Sequence, residues 1–274
     1  MIKAPKLLYS HERRSIKRMA KNIISDHSVR FKMIMASLIC VTSFMLTQVI
    51  KDSLYYAISL RITSEYAYAF DLVFVTAFSV LRLLILSPLF IGFFSLSVKL
   101  ASGKNTDLQD IFIFYSDKKT LFNTWLVGAV VMLPQTVLFF LFFNVPDFCR
   151  MLVEKVTRPD LDAWIIVFTI AIEIGILVLS LFSLRLYTVI NAYVCGSGQG
   201  AWMCICAAVH STQGNILNSL VFIVSFIPWI LLSLCTVGVL FVIFTLPYMI
   251  VSYNFYSSHL IKESLTKVSN SEEI

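Results

Sequence analysis

Between Arg185 and Lys262 the sequence contains no Asp, Glu, Lys or Arg. An uncharged stretch this long has no place on a water-facing surface, and its second half is almost wholly apolar. Unbroken, Ile216 to Tyr256 would form a helix of ~60 Å, about twice the thickness of a bilayer core. It must fold back on itself, and Thr236-Val237-Gly238 is the place for the turn, with glycine supplying backbone freedom. Two crossings follow from this stretch alone. Composition extends the point to the whole chain. Its residues are 58% hydrophobic and 14% charged, against roughly 45–50% and about 25% in soluble domains. A single water-soluble core cannot absorb that much apolar side chain.

The expected fold class is therefore all-α, a polytopic transmembrane helical bundle with six spans at 33–50, 72–100, 121–143, 163–184, 216–235 and 239–256. Each run approaches the ~20 residues needed to cross the hydrocarbon. The second is overlong and should tilt or protrude, with Pro88 able to kink it. Three regions result: a basic N-terminal segment (1–32), a six-span membrane domain (33–258) and a short tail (259–274).

Charge sets the orientation. Lys3, Lys6, Arg13, Arg14, Lys17, Arg18, Lys21, Arg30 and Lys32 precede the first span, which the positive-inside rule places in the cytoplasm. The loops assigned to the other side hold only Lys51, Arg61, Arg150, Lys155 and Arg158, together with seven acidic residues from Asp52 to Asp162. Both termini are then cytoplasmic. The net charge of +6 reflects this asymmetry and not nucleic-acid binding, since no aromatic-basic recognition module accompanies it.

Short amphipathic helices are expected on the cytoplasmic side. In Ser10 to Ile24, the apolar Ile16, Met19, Ile23 and Ile24 oppose Arg13, Arg14, Lys17, Arg18 and Lys21, which would contact anionic lipid headgroups. Thr106-Asp107-Leu108-Gln109 fits a capping box opening a second helix, and a third should run from about Ala201 to His210. A span, an elbow helix and a returning span recur at roughly 71–143 and 162–235, an internal repeat in outline.

Two ionisable residues lie inside spans, Arg82 and Glu173. Each follows an acidic residue, Asp71 or Asp162, by eleven positions, on spans running in the same direction, so their depths match. An unpaired charge there costs ~2.5–3.5 kcal/mol or more on insertion scales. The expectation is an intramembrane polar pair facing the bundle interior, either structural or on a transport pathway. No other chemistry is expected. Cys195, Cys204, Cys206 and His210 lack zinc-ligand spacing, since C-x-C on a helix points its thiols apart. No catalytic, cofactor or metal site can be assembled, and the chain reads as a non-enzyme.

Two stretches also carry a resemblance. One is Pro88-Leu89-Phe90-Ile91-Gly92, followed by Leu100, Gly103 and Asp110-Ile111-Phe112 with Phe114. The other is Ser225-Phe226-Ile227-Pro228-Trp229, continuing through Thr236, Gly238, Pro247-Tyr248 and Phe255-Tyr256. Together they resemble a bacterial six-span integral membrane family of unknown function, related in pattern to the membrane-anchor domain of some glycerophosphodiester phosphodiesterases. The chain departs from that pattern at Pro228 and at Cys195-Gly196-Ser197-Gly198. The resemblance implies a bacterial plasma-membrane protein and supplies no catalytic residues. The expected role is membrane organisation or binding of lipid or protein partners. The alternative is a small transporter or lipid-handling permease using Arg82 and Glu173.

Overall fold

A computed structural model describes residues 10–60, 67–155, 162–183, 186–196, 200–212 and 215–272, and no strand occurs among them. The helices are α1 (Ser10–Ser25), α2 (His27–Ser59), α3 (Ala67–Ala101), α4 (Lys118–Lys155), α5 (Asp162–Ser183), α6 (Tyr187–Cys195), α7 (Ala201–Thr212), α8 (Ile216–Val224), α9 (Ile227–Cys235) and α10 (Leu246–Glu272). A 3₁₀ segment (Leu108–Tyr115) links α3 to α4, and a π-helical stretch (Phe241–Thr245) leads into α10.

Among the described residues, four stretches are long and apolar enough to cross a membrane: His27–Ser59, Val73–Ala101, Lys118–Leu138 and Leu217–Cys235. They contain or overlap the expected spans at 33–50, 72–100, 121–143 and 216–235. The expected spans at 163–184 and 239–256 do not join them. In α5 only Val167–Ser180 registers, as a shorter apolar segment. The last of these runs is divided: a π-helical stretch (Phe241–Thr245) separates its apolar start from α10, which is less apolar over its length and buries Ser252, Asn254 and Ser257. Nor do the region boundaries coincide with breaks, because α2 runs through 32/33 and α10 through 258/259.

The turn at 236–238 forms as the uncharged stretch requires. Val237 and Gly238 take φ of 51° and 82°, the Gly238 N–H donates to the Ser233 carbonyl at 2.9 Å, and Val237 is 93% exposed. The chain then returns antiparallel. Ser233 Oγ and Thr245 Oγ1 share a hydrogen bond of 2.8 Å, Trp229 packs on Phe244, Phe226 on Tyr248, and Phe222 stacks on Tyr256 at 4.5 Å.

α3 is the axis of the packed end, buried from Ser87 to Ser97 except at the half-buried Phe90. Close approach explains its composition there. A Cβ on Gly92 would land on the Ile111 carbonyl oxygen, so glycine lets the 3₁₀ segment lie against α3. Likewise Gly128 of α4 seats against Ser87. Pro88 removes the N–H that would bond the Leu84 carbonyl, and Trp125 Nε1 donates to that carbonyl instead at 2.9 Å. Opposite α3, α10 supplies Asn254, whose side chain donates to Ser97 Oγ and accepts from Asn191 Nδ2 at 3.2 Å.

The capping box does not form. Asp107 makes no side-chain cap bond, Thr106 Oγ1 is buried without a partner, and the segment is 3₁₀, tied to α3 by Lys99–Asp110 at 3.4 Å. The repeat also loses its detail. The first elbow is one 3₁₀ segment and the second is α6 plus α7. α4 runs through Pro134, whereas the chain breaks between α8 and α9 just before Pro228.

Candidate functional site

Away from the packed end, α2, α3 and α4 separate around a cleft of about 440 Å³. Its walls are mostly apolar: Cys40 and Phe44 from α2, Leu83, Leu86, Leu89 and Phe90 from α3, and Met132 from α4. Into it project Ser79 and Arg82 of α3, Gln135 and Thr136 of α4, and Tyr187 of α6.

Arg82 is the one ionisable cation of this lining. Its guanidinium carbon lies 3.7 Å above the Phe44 ring, a cation–π contact that offsets part of the cost of desolvation. Its Nη1 donates to Gln48 Oε1 at 3.3 Å. Gln48 Nε2 donates in turn to both Asp52 carboxylate oxygens at 3.1 Å, and Asp52 is already 3.5 Å from Lys51. A carboxylate thus reaches Arg82 only through an amide, and none lies within ion-pair distance among the described residues.

The expected Arg82–Glu173 pair is accordingly absent. A matching count along two helices did not give the two residues the same neighbours. α5 packs chiefly on α4 and α8, while α3 turns Arg82 toward α2. Glu173 is half-buried and has no ion-pair partner among the described residues.

Sequence reasoning missed Gln135. It sits about four turns into the apolar third span, next to Pro134, and hydropathy averages it away. The Tyr187 hydroxyl donates to its Oε1 at 3.0 Å, which fixes the amide. Its Nε2 is buried and unpartnered. The other polar groups have their donors engaged, with Ser79 Oγ bonded to the Val75 carbonyl at 2.7 Å and Thr136 Oγ1 to the Met132 carbonyl at 2.9 Å. The free donors are therefore the remaining guanidinium N–H groups of Arg82 and the amide of Gln135.

No known protein family, characterised protein or solved structure matches this chain. Its chemistry has to be read from the site itself.

The basic helix is arranged differently from a helix lying free on lipid. α1 buries Ile16, Ala20 and Ile24 against α10 and α2. Lys17 turns inward: its Nζ donates to Ser225 Oγ at 2.6 Å and lies 4.4 Å from the Phe226 ring centre. Burial, with Arg13 beside it, lowers the Lys17 ammonium below its ordinary range. Arg14, Arg18 and Lys21 stay exposed and Arg13 is half-buried, so fewer of the five basic side chains expected on the outer face are fully exposed. Cys204 is buried in α7 and Cys206 exposed, on different sides as C-x-C on a helix requires. Among the described residues no cluster of three or more His, Cys, Asp or Glu could hold a metal.

Proposed function

We propose that this chain is a non-enzymatic, lipid-binding protein of a bacterial plasma membrane, with six spans and both termini cytoplasmic. The observation that carries the reading is the Arg82 cleft, in which one cation without a carboxylate of its own stands among apolar walls at the edge of the bundle. Such a site offers an acyl chain its walls and an anionic group its charge. The exposed Arg14, Arg18 and Lys21 add attraction to anionic headgroups at the docked α1.

Six spans fit the hairpin at 236–238, which needs two crossings, and the length of α5, which at 22 residues is ~33 Å. The N-in orientation rests on the distribution of Lys and Arg. The resemblance to the six-span bacterial family agrees with this arrangement. The transporter alternative required Arg82 and Glu173 on one pathway, and their separation removes its main support.

The test is mass spectrometry of lipid co-purified with the wild-type protein and with Arg82→Leu. Loss of a specifically retained anionic lipid in the variant, with folding intact, is the expected result. An identical lipid profile in a folded Arg82→Leu protein would contradict the reading.

A further inference from the structure

The donors left free in the cleft specify its ligand more narrowly than its charge does. We infer that the cleft holds a single-chain carboxylate, a fatty acid, with its head between Arg82 and Gln135 and its chain along the apolar wall. This rests on the lipid-binding reading and deepens it.

Charge narrows the ligand first. One guanidinium faces the cleft, and no second cation lines it. A phosphate monoester carries about −1.5 to −2 at neutral pH and would leave negative charge uncompensated in a low-dielectric site. A carboxylate carries one charge on two oxygens, which matches the planar donor fork of arginine.

The number of available donors narrows it further. Phosphodiester lipids also carry a single charge, but they bring glycerol and headgroup oxygens that each require a partner in a water-poor site. Ser79 and Thr136 have spent their hydroxyl protons on backbone carbonyls. The Tyr187 hydroxyl proton is spent on Gln135. What remains is Arg82 and the buried, unpartnered Nε2 of Gln135. Two donor groups match the two oxygens of a carboxylate, and the hydroxyls beside them are already committed. A carboxylate would also satisfy the Gln135 donor, which otherwise lies buried at a cost.

The wall supplies a place for the chain. Phe44, Leu83, Leu86, Leu89, Phe90 and Met132 form an apolar surface next to these donors. Head and chain therefore have adjoining, chemically distinct places.

The experiment uses the full chain, delipidated in detergent, with native mass spectrometry and thermal unfolding as readouts. Palmitate, phosphatidylglycerol and the uncharged monopalmitoylglycerol are added separately. Wild type is expected to retain one palmitate per chain and to melt at higher temperature with it, and to take up the uncharged analogue at least about tenfold more weakly. Gln135→Leu, which keeps the cation, is expected to weaken palmitate about tenfold or more. Arg82→Lys, which keeps charge but not the fork, should fall between wild type and Arg82→Leu. One-per-chain retention of phosphatidylglycerol with palmitate ignored would overturn the fatty-acid assignment and leave lipid binding standing. Equal palmitate binding by wild type and Gln135→Leu would also overturn the assignment. Retention of neither anion would overturn both.

Discussion

Pro88 shows at the scale of one residue how this chain tolerates a broken helix ladder in a buried helix. The Leu84 carbonyl that proline deprives of its partner is bonded by Trp125 from the next long helix. Trp125→Phe should keep the aromatic bulk and lose that bond, costing ~1–3 kcal/mol for an unsatisfied buried carbonyl. Thermal unfolding in detergent checks this, and an unchanged melting temperature would show that another group serves Leu84. Gly92 makes a sharper case. Gly92→Ala must push the Ile111 backbone away from α3, and overpacking of this kind costs roughly 1–3 kcal/mol. Exchange protection of the 3₁₀ segment's amides should fall with it. Both residues were legible in the sequence as Pro88 to Gly92 and Asp110-Ile111-Phe112. Their reason was not, because it lies in contacts between segments that sequence spacing cannot see. Arg82 and Glu173 teach the same lesson from the other side. Counting along helices gave them matching positions, while the packing of α5 on α4 and α8, and of α3 on α2, decided which neighbours they met.

Among the elements, α1 and α10 depart furthest from simple hydropathy. The sequence marked α1 as basic and amphipathic and placed its ends to within a residue, at Ser10–Ser25. It did not reveal that the apolar face docks on protein, with Lys17 drawn in after it. That docking carries a pH signature. Lys17 holds its proton less tightly when folded than when unfolded, since burial and Arg13 lower its ordinary 10.5. The unfolded state binds more protons in the window just below 10.5, so stability should rise with pH there. Lys17→Met should abolish that rise, as measured by melting between pH 8 and 10.5. A parallel rise in both proteins would assign it to other groups. α10 was legible as the returning arm of a hairpin, through Gly238, but its polar stripe was not legible as an interior one. Asn254 joins Ser97 of α3 to Asn191 of α6. Asn254→Leu removes both of these side-chain bonds, while Ser97 Oγ keeps its bond to the Phe94 carbonyl and Asn191 Nδ2 its bond to the Asn254 backbone carbonyl. Stability should fall by ~0.5–1.5 kcal/mol per lost bond, whereas the exposed Ser102→Ala should have little effect on the same melt.

The whole molecule divides into two ends of different character. At one, α1, the first turns of α2, the last half of α3, α6, α7 and α10 enclose a core containing Met33, Phe93, Leu96, Ile190 and Tyr256. At the other, α2, α5 and the α8–α9 arm present Met45, Val49, Phe168, Ile174, Leu231 and Leu234 outward. Large apolar side chains exposed on this scale belong against lipid. The Arg82 cleft lies between these regimes, where helices held together at the packed end spread apart. That placement gives a lipid chain a way in and a charge to meet. The most direct measurement is photo-crosslinking of the membrane-embedded chain with an anionic lipid carrying a photoactivatable acyl chain, followed by mapping of the adducts. Adducts concentrated on Phe44, Leu86 and Met132, and lost in Arg82→Leu, are the expected result. Adducts spread evenly over α5 and the α8–α9 arm, unchanged by that substitution, would contradict it.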